Sequence, residues 1–116
     1  MNIKRIVELI EGEIITENPK YDMQLTHAFT SDLMSDVLTI DHQRDDIALL
    51  TGLANVQTIR TVEMAGLNLV ILVRGKKANA DMIEIANEND ITIIETNYSA
   101  FRTSAILYNA GVKSLF

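Results

Sequence analysis

The chain has 116 residues, 47% apolar and 22% charged, the size and balance of one ordinary folded domain. It contains no cysteine, which excludes a thiol nucleophile, a disulfide framework and any cysteine-based zinc or iron–sulfur site. A net charge of −6, with 5% aromatics and no tryptophan, leaves little to neutralise phosphates or stack on bases. A nucleic-acid partner is therefore not expected.

Ile3, Ile6, Val7 and Ile10 recur at helical spacing, with Lys4, Arg5, Glu8 and Glu11 opposite them, so an amphipathic first helix is predicted, stopped at Gly12. Glu8, Glu11 and Glu13 interrupt any apolar region behind the two basic residues, so the segment does not read as a signal peptide. No run approaches the roughly 18 apolar residues of a membrane span. A cytoplasmic location without membrane contact is the expectation. Glu13 to Thr16 reads as a short strand and Asn18-Pro19 as a turn. Residues 25–30 read as a second strand. Ser31 is then placed to cap a short helix carrying Leu33, Met34, Val37 and Leu38. Asp41 to Asp46 is a polar connection.

The second half is more regular. Residues 46–52, 69–75 and 91–96 are apolar strands. They are followed by helices over about 55–65, 79–89 and 99–110, the last closed by Gly111. The strand ends Thr51, Arg74 and Thr96 are 23 and 22 residues apart, a repeating strand–helix unit that implies parallel strands joined by crossovers. The strands are continuously apolar rather than alternating, as when helices cover both faces. The expected fold is thus a single α/β domain over 1–116. Its three-layer core is a mostly parallel sheet built from βα units, with an N-terminal helix and two short extra strands whose pairing is open.

In such a sheet ligands sit beyond the carboxyl ends of the strands. Those loops are Thr51 to Asn55, Arg74 to Lys77 and Thr96 to Ser99, and three of the ten basic residues fall within positions 74–77. Hydroxyls, amides and base gathered on an acidic chain suit a phosphate or carboxylate. The same residues also serve plain structure: Gly52 and Gly75 as turns, Asn55 and Ser99 as helix caps, Lys76 and Lys77 as solvated surface. Neither GxxxxGK[ST] nor GxGxxG occurs. Arg60 and Glu63 are spaced to pair on one helix. His27, in a strand, reads as a packed or edge histidine, and His42 as solvated loop. Neither has metal-ligand spacing, the acidic run 41–46 lacks the glycine and spaced ligands of a calcium loop, and no nucleophile–base constellation is apparent. No metal, cofactor or catalytic residue is assigned, and the chain is not expected to be an enzyme.

The segments SDLMSDVL, DIALLTGLANVQTIRTVEMAG and VILVRGKK, with the later TNYSAF, resemble the DRTGG domain family. Arg44-Asp45-Asp46-Ile47 resembles that family's DR-x-D-I strand start, one position shorter, and Thr51-Gly52 its Thr-Gly, with Leu53 in place of the second glycine. In the family the domain occurs alone, between CBS modules, or fused to phosphotransacetylase and other enzymes, and it is regulatory rather than catalytic. It is also related in shape to the N-terminal domain of the kinase that acts on the phosphocarrier protein of sugar transport. The resemblance implies a cytosolic, self-associating regulatory domain. The candidate residues for a small anionic metabolite or nucleotide are Ser31, Asp32, Ser35, Thr51, Gly52, Asn55, Arg60, Arg74, Gly75, Lys76, Asn97 and Tyr98. The rival reading is an interaction module for a metabolic enzyme or signalling partner. It would use Phe101, Ala105, Ile106, Leu107 and Tyr108 of the last helix with Leu115-Phe116, residues that a core or a homodimer seam would equally employ. A third reading is a small metal-dependent hydrolase built on the Asp-rich loop.

Overall fold

A computed structural model describes residues 1–17, 19–40 and 44–116. Asn18 of the predicted turn, and Asp41 and His42 of the polar connection, lie outside the described residues.

The first helix, α1 (Ile3–Ile10), buries Ile3, Ile6 and Ile10 and is capped by Asn2, whose side chain accepts from the Arg5 N–H. It ends one residue earlier than predicted, on Glu11 in the left-handed conformation (φ 50°). Gly12 serves packing instead of the turn, since a Cβ there would meet Ile94 Cγ2 at 2.8 Å. The chain then forms β1 (Glu13–Ile14), β2 (His27–Thr30) and the four-residue helix α2 (Met34–Val37). Ser31 does not cap α2: the residue before the helix is Leu33, with no side-chain cap. Ser31 instead closes a local turn, its Oγ accepting from the Leu33 N–H at 3.0 Å. Next come β3 (Ile47–Thr51), α3 (Val56–Met64), β4 (Leu69–Leu72), α4 (Ala80–Glu88), β5 (Thr92–Glu95), α5 (Ala100–Asn109) and β6 (Lys113–Ser114). Asn55, Asn79 and Ser99 each accept a backbone N–H as caps of α3, α4 and α5, each cap being worth about 1 kcal/mol.

The sheet order is β1-β5-β4-β3-β2-β6. β2, β3, β4, β5 and β6 run parallel, and β1 pairs antiparallel with β5 through Glu13↔Glu95 and Ile14↔Ile94. The two strands whose pairing was open thus lie on opposite sides of the parallel unit. β6 was not predicted. Turned by Gly111 (φ 109°), it pairs with β2 in the register His27↔Lys113, so β2 is an interior strand. His27 there is half-buried, with its Nδ1 2.8 Å from Thr26 Oγ1.

Strand residues alternate between two cores. Leu49, Val70, Leu72 and Ile93 pack with Val37, Ile59, Val62, Met82 and Ala86 of α2, α3 and α4. Ala48, Leu50, Ile71 and Ile94 pack with Ile3, Ile6, Ile10 and Leu107 of α1 and α5. All positions of β3, β4 and β5 are buried, the physical reason β3 and β4 are near-continuous apolar runs, while in β5 the buried Thr92 and Glu95 flank Ile93 and Ile94. At roughly 1.5–3 kcal/mol for each large apolar side chain removed from water, these two cores dominate folding. The predicted three-layer α/β fold is observed. Among the described residues, no helix is long and apolar enough to cross a membrane.

Candidate functional site

The chain after β4 leaves to α4 on one face, and the chain after β5 leaves to α5 on the other. This divergence marks the switch point between the carboxyl ends of neighbouring strands, the crevice position at which open α/β sheets hold ligands. Its walls are the loops beginning at Arg74 and Thr96.

On the β4 side, Arg74 (φ 59°) and Gly75 (φ 72°) are both left-handed, and the Lys76 N–H donates to the Val73 carbonyl at 3.2 Å. This is a type I′ turn. Gly75 suits it, whereas a left-handed arginine costs about 1–2 kcal/mol. The turn is stitched to the opposite wall: the Arg74 N–H donates to the Tyr98 carbonyl at 2.7 Å and the Gly75 N–H to the Thr96 carbonyl at 2.9 Å. A Cβ on Gly75 would lie 3.4 Å from Asn97 Oδ1. The side chains of Arg74, Lys76 and Asn97 are exposed. Ion pairs among the described residues join Arg5 to Glu8, Arg44 to Asp46 and Lys77 to Glu95, so Arg74 and Lys76 enter none.

Tyr98 is held from three directions. Its hydroxyl donates to Glu11 Oε2 at 2.6 Å, its N–H donates to Thr96 Oγ1 at 3.2 Å, and the Arg102 guanidinium lies 3.7 Å from its ring centroid. The hydrogen bond to the Glu11 carboxylate, foremost, holds the Tyr98 hydroxyl above its ordinary pKa. Thr96 Oγ1 donates to the Ile10 carbonyl at 2.7 Å, so this wall is fastened to the end of α1.

One strand further along, three of the other predicted residues meet: Asp32, Thr51 and Gly52. Asp32 Oδ1 accepts from Thr51 Oγ1 at 2.7 Å and from the Gly52 N–H at 2.9 Å. These two bonds, the Thr51 hydroxyl first, lower the pKa of Asp32 against a smaller opposing effect of burial. The chain's own carboxylate thus occupies the donors at the end of β3. Asn55 Oδ1 is engaged with the N–H and hydroxyl of Thr58 at 2.9 and 3.1 Å. Ser35 is exposed on α2, and Arg60 is exposed one turn down α3 without the predicted pairing to Glu63. Of the twelve candidates, the structure therefore brings Arg74, Gly75, Lys76, Asn97 and Tyr98 to one crevice. Ser31, Asp32, Thr51 and Gly52 gather beside it in a self-satisfied cluster.

Sequence reasoning missed Glu11 and Arg102 as the partners of Tyr98, and the buried Glu95, which accepts from the Ala78 N–H at 2.8 Å and pairs with Lys77 at 3.4 Å. Only Arg102 carried a signal, as a cation four residues from an aromatic. Glu11 is 87 residues away. In the last helix, Leu107 is core, Ile106 is half-buried, and Phe101, Ala105 and Tyr108 are exposed.

No family model and no curated protein matches the chain. Among solved structures, it is similar to the CBS and DRTGG domains of the regulatory region of Clostridium perfringens pyrophosphatase, complexed with an activator, diadenosine tetraphosphate. The TM-score is 0.75 at 17% identity, covering 91% of this chain and 45% of that one. The chain therefore has a DRTGG-like fold and spans less than half the length of that structure. The neighbour is a regulatory region rather than a catalytic one.

Proposed function

We propose that this chain is a non-catalytic, cytoplasmic regulatory domain. It senses a small anionic ligand of the phosphate or nucleotide class in the crevice between β4 and β5, and it acts through a second copy of itself or a partner enzyme. The observation that carries this reading is Arg74. It is held in a strained left-handed turn at the switch between the two crossover directions, beside Lys76 and with no carboxylate paired to either. Backbone strain kept at such a place is expected where it aims a side chain at a ligand. Arg74 and Lys76 would neutralise the anion, and the Asn97 amide would orient it. The neighbouring regulatory region, which was crystallised with a nucleotide activator, supports the ligand class.

The test is a thermal-shift series with diadenosine tetraphosphate, adenosine mono-, di- and triphosphates and inorganic phosphate. A ligand at about 100 times its Kd adds roughly 2.7 kcal/mol, a clear rise in Tm. The expected result is a rise with at least one nucleotide that disappears in the Arg74→Gly/Lys76→Ala double variant. No shift with any of these ligands, or a shift the double variant retains, rejects the crevice as the site.

A further inference from the structure

The three most exposed large apolar side chains of the described residues are Phe101 (87%), Phe116 (79%) and Tyr108 (68%), and all three lie at the β2–β6 end of the sheet. Phe101, Ala105 and Tyr108 recur at helical spacing along α5, on the side opposite Thr103 and Leu107, which face the core. A surface helix normally carries one apolar face; α5 carries two. Beside the outer stripe runs an open apolar groove of about 360 Å³, floored by Ala28, Leu50 and Val112. Phe116 sits across the sheet, its ring edge-on to Phe29 at 6.0 Å.

We infer that this face is the contact between two copies of the chain, each placing the Phe101 and Tyr108 rings of α5 against the groove of the other. This names the surface for the self-association in the reading above and is independent of its ligand. Charge distribution selects the occupant. Residues 96–116 contain no Asp or Glu and two cations, Arg102 and Lys113. Subtracting that +2 from the net −6 leaves −8 on residues 1–95. Two acidic copies repel through most of their surfaces and least through this one. Shape agrees, because a twofold contact needs a patch complementary to itself, and here protruding rings and an apolar groove share one face. The sheet edge itself is poorly suited to pairing: β6 has two residues and one of them is Lys113, a short, charged edge that resists strand addition. The contact therefore runs through α5.

The test is sedimentation equilibrium of the full chain from low micromolar to sub-millimolar concentration. The variants are Phe101→Asp, Tyr108→Asp and, as a control, Met64→Asp, which alters an apolar residue on α3 about as exposed as Tyr108. All three positions are on the surface, and urea midpoints confirm that the variants fold. The expected result is a wild-type dimer, a dissociation constant raised at least about thirtyfold by Tyr108→Asp and by Phe101→Asp, and no change with Met64→Asp. A dimer that both α5 variants leave intact overturns this surface while self-association stands. A wild-type chain that remains monomeric throughout overturns both. Neither outcome bears on the nucleotide titration.

Discussion

Replacing Arg74 with glycine separates what this residue does for the fold from what it does for a ligand. Arg74 sits at φ 59°, where a side chain costs about 1–2 kcal/mol and glycine costs nothing. Glycine also loosens the unfolded chain, at roughly 0.5–1 kcal/mol. The backbone N–H that donates to the Tyr98 carbonyl at 2.7 Å is retained. The difference leaves Arg74→Gly slightly more stable than the natural chain, by about 0.5 kcal/mol. Arg74→Ala keeps the strain without the arginine, so alanine should match the natural chain and be about 0.5 kcal/mol less stable than glycine at this one position, the reverse of their order in ordinary secondary structure. Urea unfolding of the three chains reads this directly, through midpoints at constant slope. Both variants should lose the nucleotide-dependent rise in Tm. Alanine equal to or more stable than glycine would show that the turn stores no strain, and would remove the physical reason for assigning the arginine a role. A more stable protein that no longer binds is the trade expected of a strained functional residue.

Asp46 contributes an acid-sensitive part of the fold's stability. Its carboxylate is gripped by Arg44 at 2.8 and 2.9 Å and by Thr26 Oγ1 at 2.5 Å, and the Arg44 hydrogen bonds, foremost, lower its pKa from 3.8 to about 2. A depressed folded-state pKa contributes stability that is complete above about 4 and is lost as pH falls towards about 2. The full shift would correspond to about 2.4 kcal/mol, and solvent at this partly exposed side chain reduces it to about 1 kcal/mol. Urea midpoints should therefore fall between pH 4 and pH 2 (the window set by the two pKa values), and Asp46→Asn should flatten that part of the profile. Gly12→Ala places a Cβ 2.8 Å from Ile94 Cγ2 and 3.3 Å from the Glu95 carbonyl. It should cost about 1–3 kcal/mol in the same assay, as overpacking does; a neutral result would mean that β1 shifts freely. Thr103 buries its hydroxyl without a partner. Thr103→Val should then be neutral or stabilising by about 1 kcal/mol, and a clear loss of stability would reveal a bonded hydroxyl.

The parallel unit was legible because burial on both faces of β3 and β4 leaves near-continuous apolar runs, and β5 keeps the apolar pair Ile93-Ile94 at the same spacing. The caps Asn55 and Ser99 were legible because few residue types do that work. β6 was not: Lys113 and Ser114 pair through their backbones alone, and their side chains carry no trace of it. Gly12 was read as a helix stop when its lack of a side chain serves Ile94, a contact across 82 positions of sequence. Asp32 was placed beside Thr51 and Gly52 as a ligand contact, but spacing could not show that the three satisfy one another. The Arg74-Gly75 pair signalled a turn, and only the backbone reveals that the arginine shares the left-handed conformation with the glycine. For the proposed site, then, sequence pointed to an edge, and the switch in crossover direction singles out one position on that edge for test.

The crevice and the α5 face meet at Tyr98. Its carbonyl accepts the Arg74 N–H, its ring carries the Arg102 guanidinium at 3.7 Å, and Arg102 adjoins Phe101 in the first turn of α5. On the proposed reading, an anion drawn to Arg74 would act on the loop hydrogen-bonded to Tyr98, and a partner copy pressing on Phe101 would constrain the same turn. Linkage makes any such coupling reciprocal: a nucleotide that tightens the dimer must bind the dimer more tightly by the same factor, commonly about 5–150-fold. The dissociation constant of the dimer, measured with and without a binding nucleotide, should differ within that range in the natural chain. Tyr98→Ala removes the ring while the Arg74 N–H keeps its carbonyl acceptor. This variant should bind nucleotide and dimerise separately, with the difference between the two dissociation constants gone. Coupling that survives in Tyr98→Ala would mean that the two sites communicate through the sheet and not through this residue.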